Sequence, residues 1–236
     1  MIEIENLTKK YGKLTAVDNV SLSIADNECF ALLGLNGAGK TTLINVLTTQ
    51  TPATSGTAKI DGHSITTEKI KVREIVNISP QESAVAKSLT VRENLELIAS
   101  LYNVPNPRTK IDEVIAEFGL GEKENVVCKK LSGGQTRRLS IALAIITEPK
   151  VLFLDEPTLA LDVKARKNLW NIVERLKKRM TIILTTHYLE EAEQLADRVG
   201  IISRGKIRAV GSVADILSQT GYDSLEQAFI ALTEED

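Results

Sequence analysis

The chain is poor in features that would send it outside the cell, into a membrane or onto nucleic acid. Cysteine is nearly missing from its 236 residues: Cys29 and Cys128 stand apart without metal-ligand spacing, and read as small, partly buried residues, neither ligands nor a disulfide. Charge of one sign is missing too. Lys plus Arg number 29 against 31 Asp plus Glu, a formal net charge of -2, so no overall field recruits nucleic acid or acidic lipid and any anion site must be local. Apolar runs are short. The stretch 141–146 falls far below the roughly 20 residues a bilayer span needs, which predicts no membrane segment. The N-terminus, Met1-Ile2-Glu3-Ile4-Glu5, alternates and is acidic where a secretory signal is basic and then apolar, so residence in the cytoplasm is expected. There is no repeat and no low-complexity tail.

What is present is enough chain to bury a sizeable core, most simply as one α/β domain with a smaller appendage. The rest is organised around Gly34-Leu35-Asn36-Gly37-Ala38-Gly39-Lys40-Thr41-Thr42, which follows the apolar run Phe30-Ala31-Leu32-Leu33 and precedes an apolar-rich run, 43–47. That order reads as strand, glycine loop, helix start. Glycines let the backbone approach a phosphate chain with its N–H groups turned inward at a helix N-terminus. Lys40 then supplies a point charge for the β- and γ-phosphates, and the Thr41 hydroxyl is placed to ligate Mg²⁺.

Around this loop, residues 2–33 alternate as strands with one wet face do, with Tyr11-Gly12 on a turn between two of them. Tyr11 reads as a surface aromatic or as a face for an adenine ring. Residues 56–60 predict another strand turning at Asp61-Gly62, with His63 just beyond as an exposed loop residue. Residues 75–78 predict a short strand stopped by Pro80, leaving Gln81 at its carboxyl edge. From about 84 to 130 the pattern is helical: Thr90 and Glu93 have capping-box spacing, then Leu95, Ile98, Ala99 and Tyr102 form one stripe, and Ile111, Val114, Ile115 and Phe118 a second. Residues 151–154 and 181–184 are continuous apolar runs, as in parallel strands buried on both faces, with a crossover helix marked by Leu169, Ile172, Val173 and Leu176 between them. A hairpin around Arg204-Gly205 and two short helices over 212–232 complete the chain.

Four apolar runs end in polar residues: the glycine loop, Gln81, Asp155-Glu156 and His187. In an open parallel sheet such ends line one crevice, so these groups are expected at a single bound phosphate chain. Asp155 is positioned to help hold Mg²⁺ and Gln81 can add an amide oxygen. Glu156, one residue on, points elsewhere and is free to orient or deprotonate an attacking water. His187 can hydrogen-bond the γ-phosphate. A second motif, Leu131-Ser132-Gly133-Gly134-Gln135, has Ser132 and Gln135 at capping-box spacing. Capping does not account for two glycines in a first helical turn, each unfavourable there by up to about 1 kcal/mol. Bare N–H groups at a helix start make a second anion site.

On the loop 34–41, Gln81, the pentapeptide 131–135, the run 151–156 and His187, in that order, the chain resembles the nucleotide-binding subunit of ATP-binding cassette transporters over essentially its whole length. The resemblance implies a P-loop NTPase fold, α/β, with a parallel-sheet ATPase core, an antiparallel β subdomain and an inserted helical subdomain carrying the signature. The expected division is 1–82 and 148–211 for the core with its β subdomain, 83–147 for the helical subdomain and 212–236 for short C-terminal helices. ATP and Mg²⁺ are the implied ligands. Lys40, Gln81, Glu156 and His187 take the catalytic roles; Thr41, Gln81 and Asp155 serve the metal. Tyr11, Asn36, Gly37, Ala38, Gly39, Lys40, Thr41 and Thr42 hold one nucleotide, while Ser132, Gly133, Gly134 and Gln135 meet the nucleotide of a second cassette packed head to tail. Asp162 becomes a contact across the dimer, and segments within 81–101 face a separate transmembrane permease subunit, which puts the chain on the cytoplasmic face of the membrane. No nucleic-acid partner is implied. Leu159 is bulkier than the residue more often found there, and the tail, with the run 187–192, looks like the subfamily exporting drugs, lipids or polysaccharides. Two other readings stay open on sequence alone: a soluble cassette ATPase acting as a mechanical switch in translation or DNA maintenance, and a phosphate-loop kinase or switch in which 131–135 merely caps a helix.

Overall fold

The computed structural model describes residues 1–234; residues 235–236, the end of the expected stretch 212–236, lie outside the described residues. Two sheets form the frame. The first is antiparallel, with β1 (Ile2–Tyr11), β2 (Leu14–Ile24), β4 (Ser55–Ile60) and β5 (His63–Ser64) in the order β2-β1-β4-β5. The second contains β3 (Cys29–Leu33), β6 (Val76–Ser79), β7 (Val151–Asp155), β8 (Thr181–Thr186), β9 (Arg198–Ser203) and β10 (Lys206–Gly211) in the order β10-β9-β3-β8-β7-β6. All its neighbours pair in parallel except the β9–β10 hairpin at the edge.

Strand alternation divides the interior. Phe30 and Leu32 of β3 and Phe153 of β7 face the antiparallel sheet, where Ile2, Ile4, Leu7 and Ile60 meet them together with Leu43, Ile44 and Leu47 of α1 (Lys40–Leu47). Ala31, Leu33, Leu152 and Leu154 turn to the opposite face. There they are covered by α5 (Gly133–Ile145), α6 (Val163–Leu176), α7 (Leu189–Leu195), α8 (Val213–Thr220) and α9 (Leu225–Glu234). The same core extends to α3 (Val91–Leu101) and α4 (Pro107–Glu117): Leu95 and Ala99 of the first expected stripe and Ile111, Val114, Ile115 and Phe118 of the second are buried, Ile98 packs half-buried, but Tyr102 caps the end of α3 and is exposed. With both faces covered, the central strands are apolar throughout.

Three local expectations change. A helix, α2 (Lys69–Ile75), precedes β6, so Ile75 ends a helix where a strand residue was expected. The charged run Lys69, Lys71, Arg73 and Glu74 leaves Val72 fully buried and Ile75 half-buried against the core, too weak a stripe to announce a helix. His63 is no loop residue: it opens β5, pairs with Ile60, and its Nδ1 lies 3.3 Å from Glu68 Oε1. Tyr11 is the last residue of β1, with the turn starting after it.

Because β3, β6, β7 and β8 run parallel, the segments after Leu33, Ser79, Asp155 and Thr186 leave the sheet at one edge.

Candidate nucleotide site

The loop after β3 folds as its glycines require. Gly37 and Gly39 take φ of 84° and 107°, the left-handed region, and Gly39 stands at the N-cap of α1. A Cβ on Gly39 would meet the Ala16 carbonyl oxygen at 2.3 Å, so no other residue fits between the loop and β2. The β9–β10 turn braces the loop from the side, the Gly205 N–H donating to Ala38 O at 2.9 Å. Lys40 is buried and its amine donates to Gly34 O at 2.6 Å and Leu35 O at 3.2 Å, which folds the loop around the charge.

Asp155 and Glu156 leave β7 in different directions. Asp155, 2 % exposed, accepts from Thr41 Oγ1 at 2.9 Å and from Thr185 Oγ1 at 2.5 Å, which ties the ends of β7 and β8 to the start of α1. Glu156 sits at φ 45°, a strained value for a non-glycine residue, held by its N–H donating to Thr185 Oγ1 at 3.0 Å. Its side chain diverges from Asp155 as expected, but it is not free. Glu156 Oε1 is 3.3 Å from Lys40 Nζ and Oε2 is 3.4 Å from His187 Nδ1. Two buried opposite charges this close attract strongly, and that attraction fixes the carboxylate against the loop.

Tyr11, Asn36, Gly37, Gly39, Lys40, Thr41, Thr42, Gln81 and Glu156 line one cleft of about 580 Å³, together with Leu14, Thr15, Ala16, Arg204 and Gly205. Ala38 lies buried beneath that lining. A larger groove, about 840 Å³, runs between α3 and α4 and gathers none of these groups; the chemistry, and not the size, selects the smaller cleft.

The signature residues lie elsewhere. Ser132, Gly134 and Gln135 line a separate concavity of about 330 Å³ with Asp162, Lys164 and Ala165. Both halves of the capping box form: Gln135 N–H donates to Ser132 Oγ and Ser132 N–H to Gln135 Oε1. The two glycines differ. Nothing lies within 4 Å of a Cβ placed on Gly133, whereas one on Gly134 would meet Ala165 Cβ at 2.9 Å. The first keeps a surface bare; the second lets α5 approach α6. Asp162 caps α6, its Oδ1 accepting from the Ala165 N–H at 2.8 Å.

Two buried residues at this edge were not singled out from the sequence. Arg137, in α5, donates through Nη2 to Asp155 O and through Nε to Pro157 O, and burial pulls its guanidinium down to about 10. Glu191, in α7, is fully buried and accepts from the Trp170 indole N–H at 3.3 Å; burial pushes its carboxyl up. A charged residue on an apolar helical stripe is the signal in both cases: Arg137 lies one turn before Ile141, and Glu191 precedes Ala192 and lies one turn before Leu195.

Comparison with known proteins agrees with this geometry. The family described as ABC transporter matches residues 17–159. The linearmycin resistance ATP-binding protein LnrL of Bacillus subtilis (strain 168) is 37 % identical over 234 residues, covering 98 % of this chain and 75 % of that protein. The daunorubicin/doxorubicin resistance ATP-binding protein DrrA of Streptomyces peucetius is 40 % identical over 227 residues, covering 95 % and 69 %. Among solved structures, an ATP binding subunit of an ABC transporter superposes with a TM-score of 0.88 at 28 % identity, covering 98 % of this chain and 99 % of that one. A dimeric ATP-binding cassette in a post-hydrolysis state, bound to ADP and Pi, gives 0.80 at 27 % identity over 90 % and 98 %. A glycine loop around a buried lysine, a glycine pair opening α5 and relatives of this kind together make the chain a member of the ABC transporter family, an ATP-binding and ATP-hydrolysing subunit.

Proposed function

We propose that this subunit binds Mg-ATP in the cleft around Lys40 and pairs head to tail with a second ATPase subunit, driving export of a cargo of the drug, lipid or polysaccharide kind, a drug above all, through a separate permease. The observation that carries the reading is the division of the site. Lys40, Thr41, Gln81 and Glu156 share one cleft, with Asp155 hydrogen-bonded to Thr41, while Ser132 and Gly134 open onto another. One chain thus holds two halves of a site that a second copy, or a close relative, completes. The names of the drug-resistance relatives, each an ATP-binding protein, support the cargo class; among the described residues no helix is long and apolar enough to cross a membrane. The subunit then works at the cytoplasmic face of that membrane.

In this reading the N–H groups of Asn36, Gly37, Ala38, Gly39, Thr41 and Thr42 and the Lys40 amine take the phosphates, and Tyr11 at the cleft mouth stacks on the adenine. A hydroxyl and a carboxylate already in contact, Thr41 and Asp155, with the Gln81 amide nearby, are hard oxygen donors of the kind Mg²⁺ takes when phosphate and water complete its shell. An Mg²⁺ held by Thr41, Asp155 and Gln81 would supply neutralisation of the phosphate charge. The phosphates draw the Lys40 charge away from Glu156, which accepts a proton from the attacking water; the γ-phosphoryl group passes to that water and ADP leaves. His187 hydrogen-bonds the γ-phosphate from the other side. Ser132, Gly133, Gly134 and Gln135 of the second subunit close over it, so ATP favours the closed pair and its hydrolysis releases it.

Sedimentation of the purified subunit with Mg²⁺ and a slowly hydrolysed ATP analogue tests the pairing: a shift from monomer to dimer is expected with nucleotide and not without. A monomer at saturating analogue sinks the two-chain site. Isolation of the subunit from native membranes tests the rest, with a polytopic protein as the expected companion and ribosomes as the opposing result.

A further inference from the structure

Arg137 is one helical turn beyond Gly133, on the face of α5 turned toward the sheet, and only 5 % exposed. Its acceptors are main-chain carbonyls from two strand ends. Nε donates to Pro157 O at 2.9 Å and Nη2 to Asp155 O at 2.8 Å, the two carbonyls flanking Glu156. Nη1 donates to Pro80 O and, at 3.4 Å, to Gln81 O. A buried guanidinium cannot exchange these partners for water, and leaving several carbonyls unpaired is costly. One guanidinium therefore ties the start of α5 to the ends of β6 and β7. Ser79 and Ser140 reinforce the link, their hydroxyls 3.0 Å apart between β6 and α5.

We infer that Arg137 is a positioning residue that transmits engagement of the Ser132–Gly134 end of α5 to Gln81 and Glu156. When the glycine pair takes up a triphosphate held by the second subunit, α5 shifts, and the fork carries that shift to the two carbonyls around Glu156. Hydrolysis is thereby linked to closure, so that a chain with nucleotide but no partner holds its carboxylate out of register. This rests on the two-chain site proposed above; what it adds is a fixed mechanical route between the two concavities of one chain.

The test is Arg137→Lys, which keeps the charge but replaces a planar fork by a single ammonium that cannot span carbonyls on two strand ends. Turnover over a range of ATP concentrations is measured together with ATP-driven dimerisation in a Glu156→Gln background. The expected result is a fall in kcat of about a hundred-fold, the loss typical of a misplacement near 1 Å, with KM and dimerisation at parental values. A purely structural arginine would lower kcat, raise KM and weaken dimerisation together, and that outcome overturns the inference, as does parental kcat. If the lysine variant does not melt cooperatively, Arg137→Gln, which retains an amide donor, is read by the same measurements and the same criteria. Failure of the Glu156→Gln parent to dimerise with ATP would instead overturn the two-chain site itself, and the inference with it.

Discussion

The Lys40 amine lies 3.3 Å from Glu156 Oε1, and both side chains are less than one-tenth exposed. The lysine of the glycine loop and the carboxylate after β7 thus hold each other, with His187 on the second carboxylate oxygen. In the proposed reading a phosphate held by the loop competes with Glu156 for this lysine, which makes its binding and the release of the carboxylate one event.

Glu156→Gln separates the two halves of that event. The amide retains the shape and a weak contact to Lys40 but takes up no proton, so ATP turnover is expected to fall by about 10²–10⁴-fold while ATP affinity is kept or improved. Steady-state phosphate release and equilibrium nucleotide binding read the two separately. A variant hydrolysing at the parental rate removes Glu156 from the role of base.

Ser132→Arg addresses the other concavity. It places a bulky cation over the glycine pair and deletes the α5 cap, whose loss alone costs about 1 kcal/mol. Ser132→Ala controls for the cap. The arginine variant is expected to bind ATP as a monomer and to show no nucleotide-driven dimer, whereas the alanine variant dimerises; unchanged sedimentation of the arginine variant contradicts a shared site.

The two signature glycines are expected to respond in opposite ways to alanine. At Gly133 the added methyl enters open space and removes the helical penalty of glycine, raising stability by up to about 1 kcal/mol. At Gly134 it collides with Ala165 Cβ at 2.9 Å, so α5 and α6 must separate and the gain is cancelled or reversed. Thermal melting of both variants, and of Gly134→Ala combined with Ala165→Gly, checks this: the double variant is expected to recover what the single one loses.

Glu191 gives a pH signature. Burial raises its carboxyl above the ordinary value, against the opposing pull of the Thr186, Thr158 and Trp170 donors and of Arg137. The folded chain therefore binds a proton there more tightly than the unfolded chain, and stability falls as pH rises from the ordinary carboxyl value through the raised one. Glu191→Gln, neutral at every pH and still able to accept from Trp170, is expected to melt higher than the parent near neutral pH. The gap should narrow below the ordinary carboxyl range. A gap that widens on acidification refutes the assignment.

Much of this was legible in the chain because it is local. The continuous runs of β3, β7 and β8 required burial on both faces, and the glycine loop, with its lysine, could be read in nine consecutive residues. The capping boxes at Thr90 and Ser132 follow from three-residue spacings and are present. What escaped depends on distance along the chain. Arg137 meets Pro80 and Gln81 from more than fifty residues away, and no spacing rule joins them. The Lys40–Glu156 pair is of the same kind. Likewise α2 is held by its neighbours: its one buried residue, Val72, packs in the core between the two sheets, so tertiary burial and not periodicity makes the helix.

Placing the lysine cleft and the glycine-pair concavity apart on one polypeptide has a genetic consequence. In a pair of identical chains each lesion appears in both composite sites. In a mixed pair, a chain damaged at Lys40 and one damaged at Ser132 pool both defects in one composite site and leave the other intact. Co-expressing two individually dead alleles would then restore one working site per complex, a complementation pattern that a self-contained site does not produce.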